Sequence, residues 1–323
     1  MLPATLPATL PADPSPVAWP AADLAEDFLS TVSGRTLVAY RADLGRLADY
    51  MGSAGPGEAA AAFLASGPGE ANRLALGWKG NMMSVGLAPA TVARRMSSLR
   101  ALVGWARACG LVAWTIDVKN PRVAAYRDTR GPGRDGVRAI KAAADADAGP
   151  TGRRDRAAVA LLHDLGLRRG ELVALDRADL DLSGDRPTVA IRGKGRNGQV
   201  ERLTIPAPTA AALAAWLAVH PDPRPDAPLF CRLDRAATGT GRISGEAVRL
   251  LVARLGDRAG LAGRPRPHGL RHQGITRALD VSNGNVRAAA KFGRHADPRV
   301  TQRYDDARTD LAGTLAALVA ADD

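Results

Sequence analysis

Apolar residues recur at helical spacing through the first third of the chain. A clear helix is predicted after Pro89-Ala-Thr91, and an amphipathic run from Thr36 to Met51 predicts another. Shorter apolar runs predict helices at 59–65 and 69–85. Residues 21–110 are therefore expected to form four or five helices. In the helix after Pro89 the apolar positions are Val92, Met96, Leu99, Leu102, Val103 and Trp105.

The second half of the chain, residues 137–323, is predicted to be mainly helical with one small antiparallel sheet. Two strands, Pro187–Arg192 and Val200–Ile205, flank a loop that is rich in glycine and other turn formers. The fold class is therefore mainly α, with an all-helical N-terminal domain and a mixed α/β second domain that contains the small sheet. Helices are predicted at 138–147, 153–164, 168–175, 208–219, 245–259, 269–280, 284–292 and 308–320.

Composition divides the chain into four segments. Residues 1–20 repeat Leu-Pro-Ala and contain further prolines, which favours a disordered arm. Residues 118–136 combine glycine, proline and arginine and are predicted to be a basic linker. The helical domain then spans 21–117, and the second domain spans 137–323.

The charge of the chain indicates a polyanionic partner. The net charge is +11 and the pI is about 10.5, with 44 Lys and Arg residues against 33 Asp and Glu. Only five of the basic residues are lysines, so codon bias towards arginine is an alternative source of the charge. Residues 119–139 hold six basic and two acidic side chains, which suits a segment that crosses a DNA backbone. The candidate DNA contacts are Arg94, Arg95, Arg100, Lys119, Arg122, Arg130, Arg134 and Arg196.

The remaining composition narrows the location of the protein. No apolar run approaches the roughly 18 residues that a membrane span needs, so no membrane partner is expected. Cys109 and Cys231 are too few for a disulfide framework. A reducing cytoplasm, with the protein associated with the nucleoid, is the expected location.

The segment Gly166-Leu-Arg168-Arg-Gly-Glu171 places an arginine at the start of a predicted helix. There its guanidinium can hold a phosphate with two hydrogen bonds beside the positive end of the helix dipole. Glu171 lies three residues later on the same face and can orient Arg168. A surface Arg–Glu pair is the alternative explanation of this motif taken alone.

Lys194 lies in the predicted turn between the two strands, within Gly193-Lys194-Gly195. A lysine at a hairpin tip can bind phosphate or act as a general acid, although an exposed turn lysine is usually only solvated. Because Gly195 follows the lysine, the ATPase phosphate-binding loop is absent.

His268 and Arg271 follow Pro267, which favours a helix start. Residues three apart share a helix face, so the imidazole and the guanidinium can converge on one phosphate. His272, one residue later, either joins them or points inward. No HExxH pattern is present, so we expect no bound metal.

His295 comes 24 residues after Arg271, and Tyr304 comes nine residues after His295. A tyrosine phenol has an ordinary pKa of about 10 and needs nearby arginines or a base to attack phosphorus at neutral pH. A tyrosine near the end of a chain more often serves packing. The ordered set of two arginines, a lysine, two histidines and a tyrosine makes a phosphate-clamping site with a nucleophile the stronger hypothesis.

With these motifs in this order, the sequence resembles the tyrosine recombinase (phage integrase) family over roughly residues 30–315. One departure is Gly293-Arg294-His295, because the family usually carries Leu-Gly-His at this place. The resemblance implies a mixed α/β catalytic domain that cleaves DNA and an all-helical, SAM-like core-binding domain. It rests on Arg154–Leu175, Gly193–Gly195, His268–His272 and Gly293–Tyr304, and in the helical half on Thr36–Leu44 and Leu87–Arg100.

The resemblance also implies roles for individual residues. Tyr304 would attack a DNA phosphodiester and form a 3′-phosphotyrosyl link, with a free 5′-hydroxyl as the other product. Arg168, Arg271 and His295 would stabilise the phosphate in the transition state. The other two members of the set would move protons, Lys194 to the departing 5′-oxygen and His268 with the tyrosine. No cofactor or metal is implied.

The implied partners are double-stranded DNA with an inverted-repeat core site and further copies of the chain. A tetramer on two duplexes would form with the help of the predicted terminal helix at 308–320. One alternative is a type IB topoisomerase, which uses the same nucleophile chemistry without a partner duplex. A second alternative is a DNA-binding relic that has lost catalysis.

Overall fold

The computed structural model describes residues 21–122, 131–192, 200–233, 241–295, 297, 300–301 and 320. The chain separates into two compact units, residues 1–125 and 126–323. The predicted arm at 1–20 and the predicted helix at 308–320, apart from residue 320, lie outside the described residues. Within the described part, no helix has the length and apolar character needed to cross a bilayer.

The first unit contains five helices among its described residues, at the upper end of the number predicted. Prolines open three of them, where the missing N–H costs no hydrogen bond. Their apolar faces enclose a core with Phe28, Phe63 and Trp78 at its centre. The helices are α1 (Ala21–Ser30), α2 (Gly34–Met51), α3 (Pro56–Ala65), α4 (Gly67–Ser84) and α5 (Pro89–Ala108).

The two ends of the predicted linker are more ordered than the sequence suggests. Val118 is buried in the core of the first unit. Helix α6 (Gly133–Asp145) begins before residue 137. Pro132 is its N-cap, and Gly133 has a φ of 73°. Residues 123–130, in the middle of the predicted linker, lie outside the described residues.

The described part of the second unit is helical around a small sheet, as predicted. Each helix overlaps a range predicted from hydrophobic spacing. The helices after α6 are α7 (Pro150–Asp164), α8 (Arg169–Ala174), α9 (Ala207–Leu217), α10 (Gly245–Arg258), α11 (Pro267–Val281) and α12 (Val286–Gly293).

The sheet is antiparallel, with strand order β1-β2-β3. Strands β2 (Thr188–Arg192) and β3 (Val200–Thr204) match the two predicted strands, with Ala190 opposite Arg202. Strand β1 (Leu180–Asp181) was not predicted. It has only two residues and follows a short 3-10 turn, so it carries no alternating pattern.

Helix α7 is the central element of the second unit and fixes where the site lies. Its Ala157–Leu162 stretch is buried throughout, so neighbours cover it on all sides. Helix α11 approaches closely at Gly274, where a Cβ would collide with the carbonyl oxygen of His163. The start of α11 and the turn after α7 are thereby brought together.

Candidate active site

The turn that follows α7 is the base of the site. Gly166 has a φ of 58°, a conformation that favours glycine, and a Cβ there would lie 3.0 Å from the Phe292 ring. The turn directs the carbonyl oxygens of Leu165 and Gly166 towards two arginines of the site. Arg168 then becomes the N-cap of α8.

Arg168 is held by Glu171, as the spacing of the motif suggested. Its Nη1 donates to Glu171 Oε1 at 2.7 Å, and its backbone N–H donates to Oε2 at 2.7 Å. Nη2 also donates to the carbonyl oxygen of Arg294 at 3.1 Å. The Arg168 side chain remains 47% exposed, while that of Glu171 is only 5% exposed. The guanidinium is therefore anchored on one side and accessible on the other.

Helix α11 brings Arg271 to the same place. Arg271 is buried and donates to the carbonyl oxygens of Gly166 and Gly293. His268, one turn earlier, is solvent-accessible. Partial removal of its ring from water, then the charges of Arg271 and Arg168, lower the pKa of His268. His272 lies 3.4 Å from the hydroxyl of Thr276 through Nδ1, so this ring nitrogen faces along its own helix.

His295 follows the end of α12 and is half-buried. Its Nδ1 hydrogen-bonds the hydroxyl of Thr301, a fully buried residue, at 2.6 Å. Removal from water, followed by the charges of Arg271 and Arg168, lowers the pKa of His295 to about 4. The ring is therefore neutral at neutral pH in the unliganded protein.

Four of the predicted catalytic residues thus form one cluster, because the charges of both arginines lower the pKa of both histidines. They are Arg168, His268, Arg271 and His295. Two fixed guanidinium groups beside two neutral imidazoles can bind a tetrahedral anion through charge and hydrogen bonds. Within the described residues, no group of three His, Cys, Asp or Glu side chains could hold a metal ion. The cluster suits a phosphate.

Arg294 is a member of the site that the sequence did not assign. It is buried, pairs with Glu171 at 2.6 Å, and donates to the carbonyl oxygens of Leu165 and Gly166 at 3.0 and 3.1 Å. The sequence indicated this position only as a departure from the family, with an arginine between Gly293 and His295. Thr301, the partner of His295, was also missed, and no motif distinguishes it.

Two of the six predicted catalytic residues, Lys194 and Tyr304, lie outside the described residues. Arg130 and Arg196, two of the predicted DNA contacts, do so as well. Their roles remain predictions.

The arginines of α5 that were predicted to contact DNA also have partners within the first unit. Arg94 pairs with the buried Asp43, and Arg95 Nε lies 3.8 Å from the same carboxylate. Arg100 donates to the Val118 carbonyl oxygen and to Asn120 Oδ1, the latter at 3.0 Å. Arg94 keeps 43% of its side chain exposed, whereas Arg95 keeps 17%. Lys119 accepts a hydrogen bond from Lys79 through its backbone oxygen, and Arg122 and Arg134 are exposed.

The fold is a helical unit followed by a mainly helical unit that contains a small sheet and a cluster of arginines and histidines. Comparison with known proteins identifies the family. The phage integrase family model matches residues 134–310. A tyrosine recombinase of Synechococcus elongatus is 40% identical over 257 residues, which cover 79% of this chain and 79% of that protein. The chain therefore belongs to the phage integrase, or tyrosine recombinase, family.

Solved structures agree on the fold. The integrase of the transposon Tn1549, in complex with transposon right-end DNA, aligns with a TM-score of 0.64 at 16% identity over 88% of this chain and 94% of that chain. A lambda integrase tetramer bound to a Holliday junction aligns with a TM-score of 0.61 at 17% identity over 88% of this chain and 76% of that chain. The protein is an enzyme of site-specific DNA recombination, which breaks and rejoins DNA strands.

Proposed function

We propose that Tyr304 is the nucleophile of this recombinase. Its phenolic oxygen attacks the phosphorus of a DNA phosphodiester, and the bond to the 5′-oxygen breaks. The products are a 3′-phosphotyrosyl link and a free 5′-hydroxyl. Because the link retains the energy of the phosphodiester, a second 5′-hydroxyl reseals the strand without ATP.

Arg168 and Arg271 hold the non-bridging oxygens of the phosphate in the transition state. The observation that carries this proposal is the clustering of the two guanidinium groups around the turn at Gly166, with Arg168 half-exposed and fixed by Glu171. Loss of one preorganised donor of this kind typically costs about 10²–10³ in rate.

The remaining members of the site handle protons and the phosphate. His295 donates a hydrogen bond to the same phosphate, a role that suits a neutral ring. His268 takes part in proton transfer from the attacking tyrosine. Lys194 protonates the departing 5′-oxygen. His272 has a supporting role on α11, one residue after Arg271.

We propose that the substrate is double-stranded DNA with an inverted-repeat core site, bound at the nucleoid by a tetramer on two duplexes. The lambda integrase of similar fold is a tetramer on a Holliday junction, which supports this assembly. Residues 308–320 join neighbouring protomers, and the candidate basic residues, among them Arg94 and Arg122, contact phosphates. The helical domain at 21–117, the linker at 118–136 and the catalytic domain at 137–323 each contact the DNA.

Covalent capture tests the proposal. The purified protein is incubated with fragmented genomic DNA of its source and quenched in detergent, and the DNA ends linked to protein are sequenced. We expect adducts at one inverted-repeat site with the wild-type protein and none with Tyr304→Phe. Tyr40→Phe is the matched control, since it removes a hydroxyl from a ring stacked on Phe28 in the first unit and should leave the adducts unchanged.

The other outcomes distinguish the alternatives. Scattered adducts that vanish in Tyr304→Phe would indicate a topoisomerase-like activity. No adducts with any protein would contradict the assignment of Tyr304 as a nucleophile. Sedimentation of the protein with the captured site, with and without residues 308–323, then checks the tetramer.

A further inference from the structure

We propose that Arg294 is a positioning residue that aims Arg168 at the scissile phosphate. The inference rests on the proposed function of Arg168 and extends it to a residue that does not touch DNA. Three features of the site carry it: the backbone conformation of Arg294, the burial of its side chain, and its two separate connections to Arg168.

The backbone at this position favours glycine over arginine. Arg294 is the C-cap of α12 and has a φ of 51° and a ψ of 46°, in the left-handed region. A side chain there is unfavourable relative to glycine, because the Cβ crowds the backbone. An arginine in this conformation therefore has to be stabilised by what its side chain binds.

The side chain binds groups that shape the site. Only 3% of the Arg294 side chain is exposed, and it ion-pairs with Glu171 Oε2 at 2.6 Å. Its Nη1 donates to the Leu165 carbonyl oxygen and its Nη2 to that of Gly166. The Gly166 oxygen also accepts a hydrogen bond from Arg271. Arg294 thus ties the turn after α7 to the carboxylate that holds Arg168.

Arg168 is connected to Arg294 by two routes. Through its side chain, Arg294 fixes one oxygen of Glu171, and the other oxygen accepts from Arg168 Nη1. Through its backbone, the Arg294 carbonyl oxygen accepts from Arg168 Nη2 at 3.1 Å. Arg294 therefore contacts one oxygen of Glu171 and one nitrogen of the Arg168 guanidinium directly.

Such support matters because the Arg168 side chain is half-exposed. A charge stabilises a transition state most when it is already oriented, so that nothing has to reorganise during the reaction. Burial alone would raise the pKa of Glu171, but Arg294 and then the bonds from Arg168 bring it below its usual value. Arg294 thereby also favours the charged form of Glu171, the carboxylate that holds Arg168.

The test compares Arg294→Gly with the wild-type protein on two DNA substrates. Glycine removes the guanidinium and accepts the left-handed backbone. One substrate carries the ordinary scissile phosphate of the captured site, and the other carries a neutral methylphosphonate there, which needs no arginine to offset a negative charge. On the phosphate we expect single-turnover cleavage to fall about 10- to 100-fold, part of the cost of losing such a donor outright. On the methylphosphonate we expect less than about a threefold difference from wild type, because a misoriented Arg168 has no negative charge to offset there.

Two further variants make the result decisive. Arg294→Lys keeps the charge with a single donor group and should show a smaller deficit with the same dependence on the substrate. Arg154→Leu removes another buried, carboxylate-paired arginine of the same unit. It should reduce cleavage of both substrates by the same factor, through the folded fraction alone.

Equal deficits of Arg294→Gly on both substrates, or no deficit on the phosphate, would overturn the inference while leaving the proposed function intact. Absence of any adduct with the wild-type protein would instead overturn the proposed function, and this inference with it. Binding of the uncleaved site should stay within about twofold of wild type, because Arg294 is buried and contributes no contact to the DNA surface.

Discussion

Two buried carboxylates in the second unit are each held by two arginines, but they serve different ends. Asp155 accepts from Arg154 at 2.8 Å and also pairs with Arg254. Glu171 accepts from Arg168 and Arg294 at 2.7 and 2.6 Å. Both carboxylates are almost completely buried, at 2% and 5% exposure of the side chain.

The difference lies in what the arginines do with their remaining donors. Arg154 also donates to the carbonyl oxygen of Cys231, which forms an isolated antiparallel β-bridge with Arg242. The Asp155 cluster therefore connects α7 to this β-bridge. Each cluster also contains a half-exposed arginine, but only Arg168 of these two acts on the pKa of His268 and His295. The same ion-pair arrangement thus stabilises packing in one place and orients a reactive charge in the other.

The largest effect is expected on the stability of the second unit, when the Asp155 cluster is disrupted. Asp155→Asn leaves two arginines without a counter-charge, and one of them is buried. Breaking a buried pair by removing one partner typically costs about 3–5 kcal/mol. We expect the free energy of unfolding of the second unit to fall by about that amount, measured by urea denaturation. The cleavage rate per folded molecule should not change, and a drop in that rate would remove the distinction between the two clusters.

A loss of activity, in contrast to Asp155→Asn, is expected for Glu171→Gln. The amide still accepts from one arginine, but its NH₂ group faces the other. We expect cleavage to fall about 10- to 100-fold, or roughly 1.4–2.7 kcal/mol, since Arg168 loses its fixed anchor. Single-turnover cleavage, corrected for the folded fraction, measures this. An unchanged rate would mean that Arg168 needs no orientation by Glu171.

The sequence was a good guide to the elements because they follow from local periodicity. Hydrophobic spacing predicted α5, α10 and α11, since the apolar face of a helix recurs within a few residues. It did not predict β1, which has two residues, or the start of α6 beside Gly131-Pro132-Gly133, where turn-forming residues suggested a linker. That helix nonetheless begins at Gly133, with Pro132 as its N-cap and Asp135 in its first turn.

Local spacing in the sequence also decides which ion pairs could be predicted and which could not. The pairing of Arg168 with Glu171 is local and could be predicted from a spacing of three residues. The pair between Arg294 and Glu171 joins positions 123 residues apart, and that between Arg94 and Asp43 joins positions 51 apart. Neither has a periodic signature, so only the fold brings them together.

The smallest effect concerns acid stability. His295 faces four cationic or basic groups, Arg271, Arg168, Arg294 and His268, and its pKa lies near 4 in the folded protein against 6.5 for an ordinary histidine. Between these values the unfolded chain binds a proton that the folded protein does not, so stability falls as the pH falls through this window. His268, whose pKa is also lowered, adds to the slope. Urea denaturation without DNA, from pH 6.5 to 5, should show a shallower fall for His295→Asn than for wild type. Parallel curves would mean that the arginines beside Glu171 do not act on His295, and the contrast with the Asp155 cluster would then rest on geometry alone.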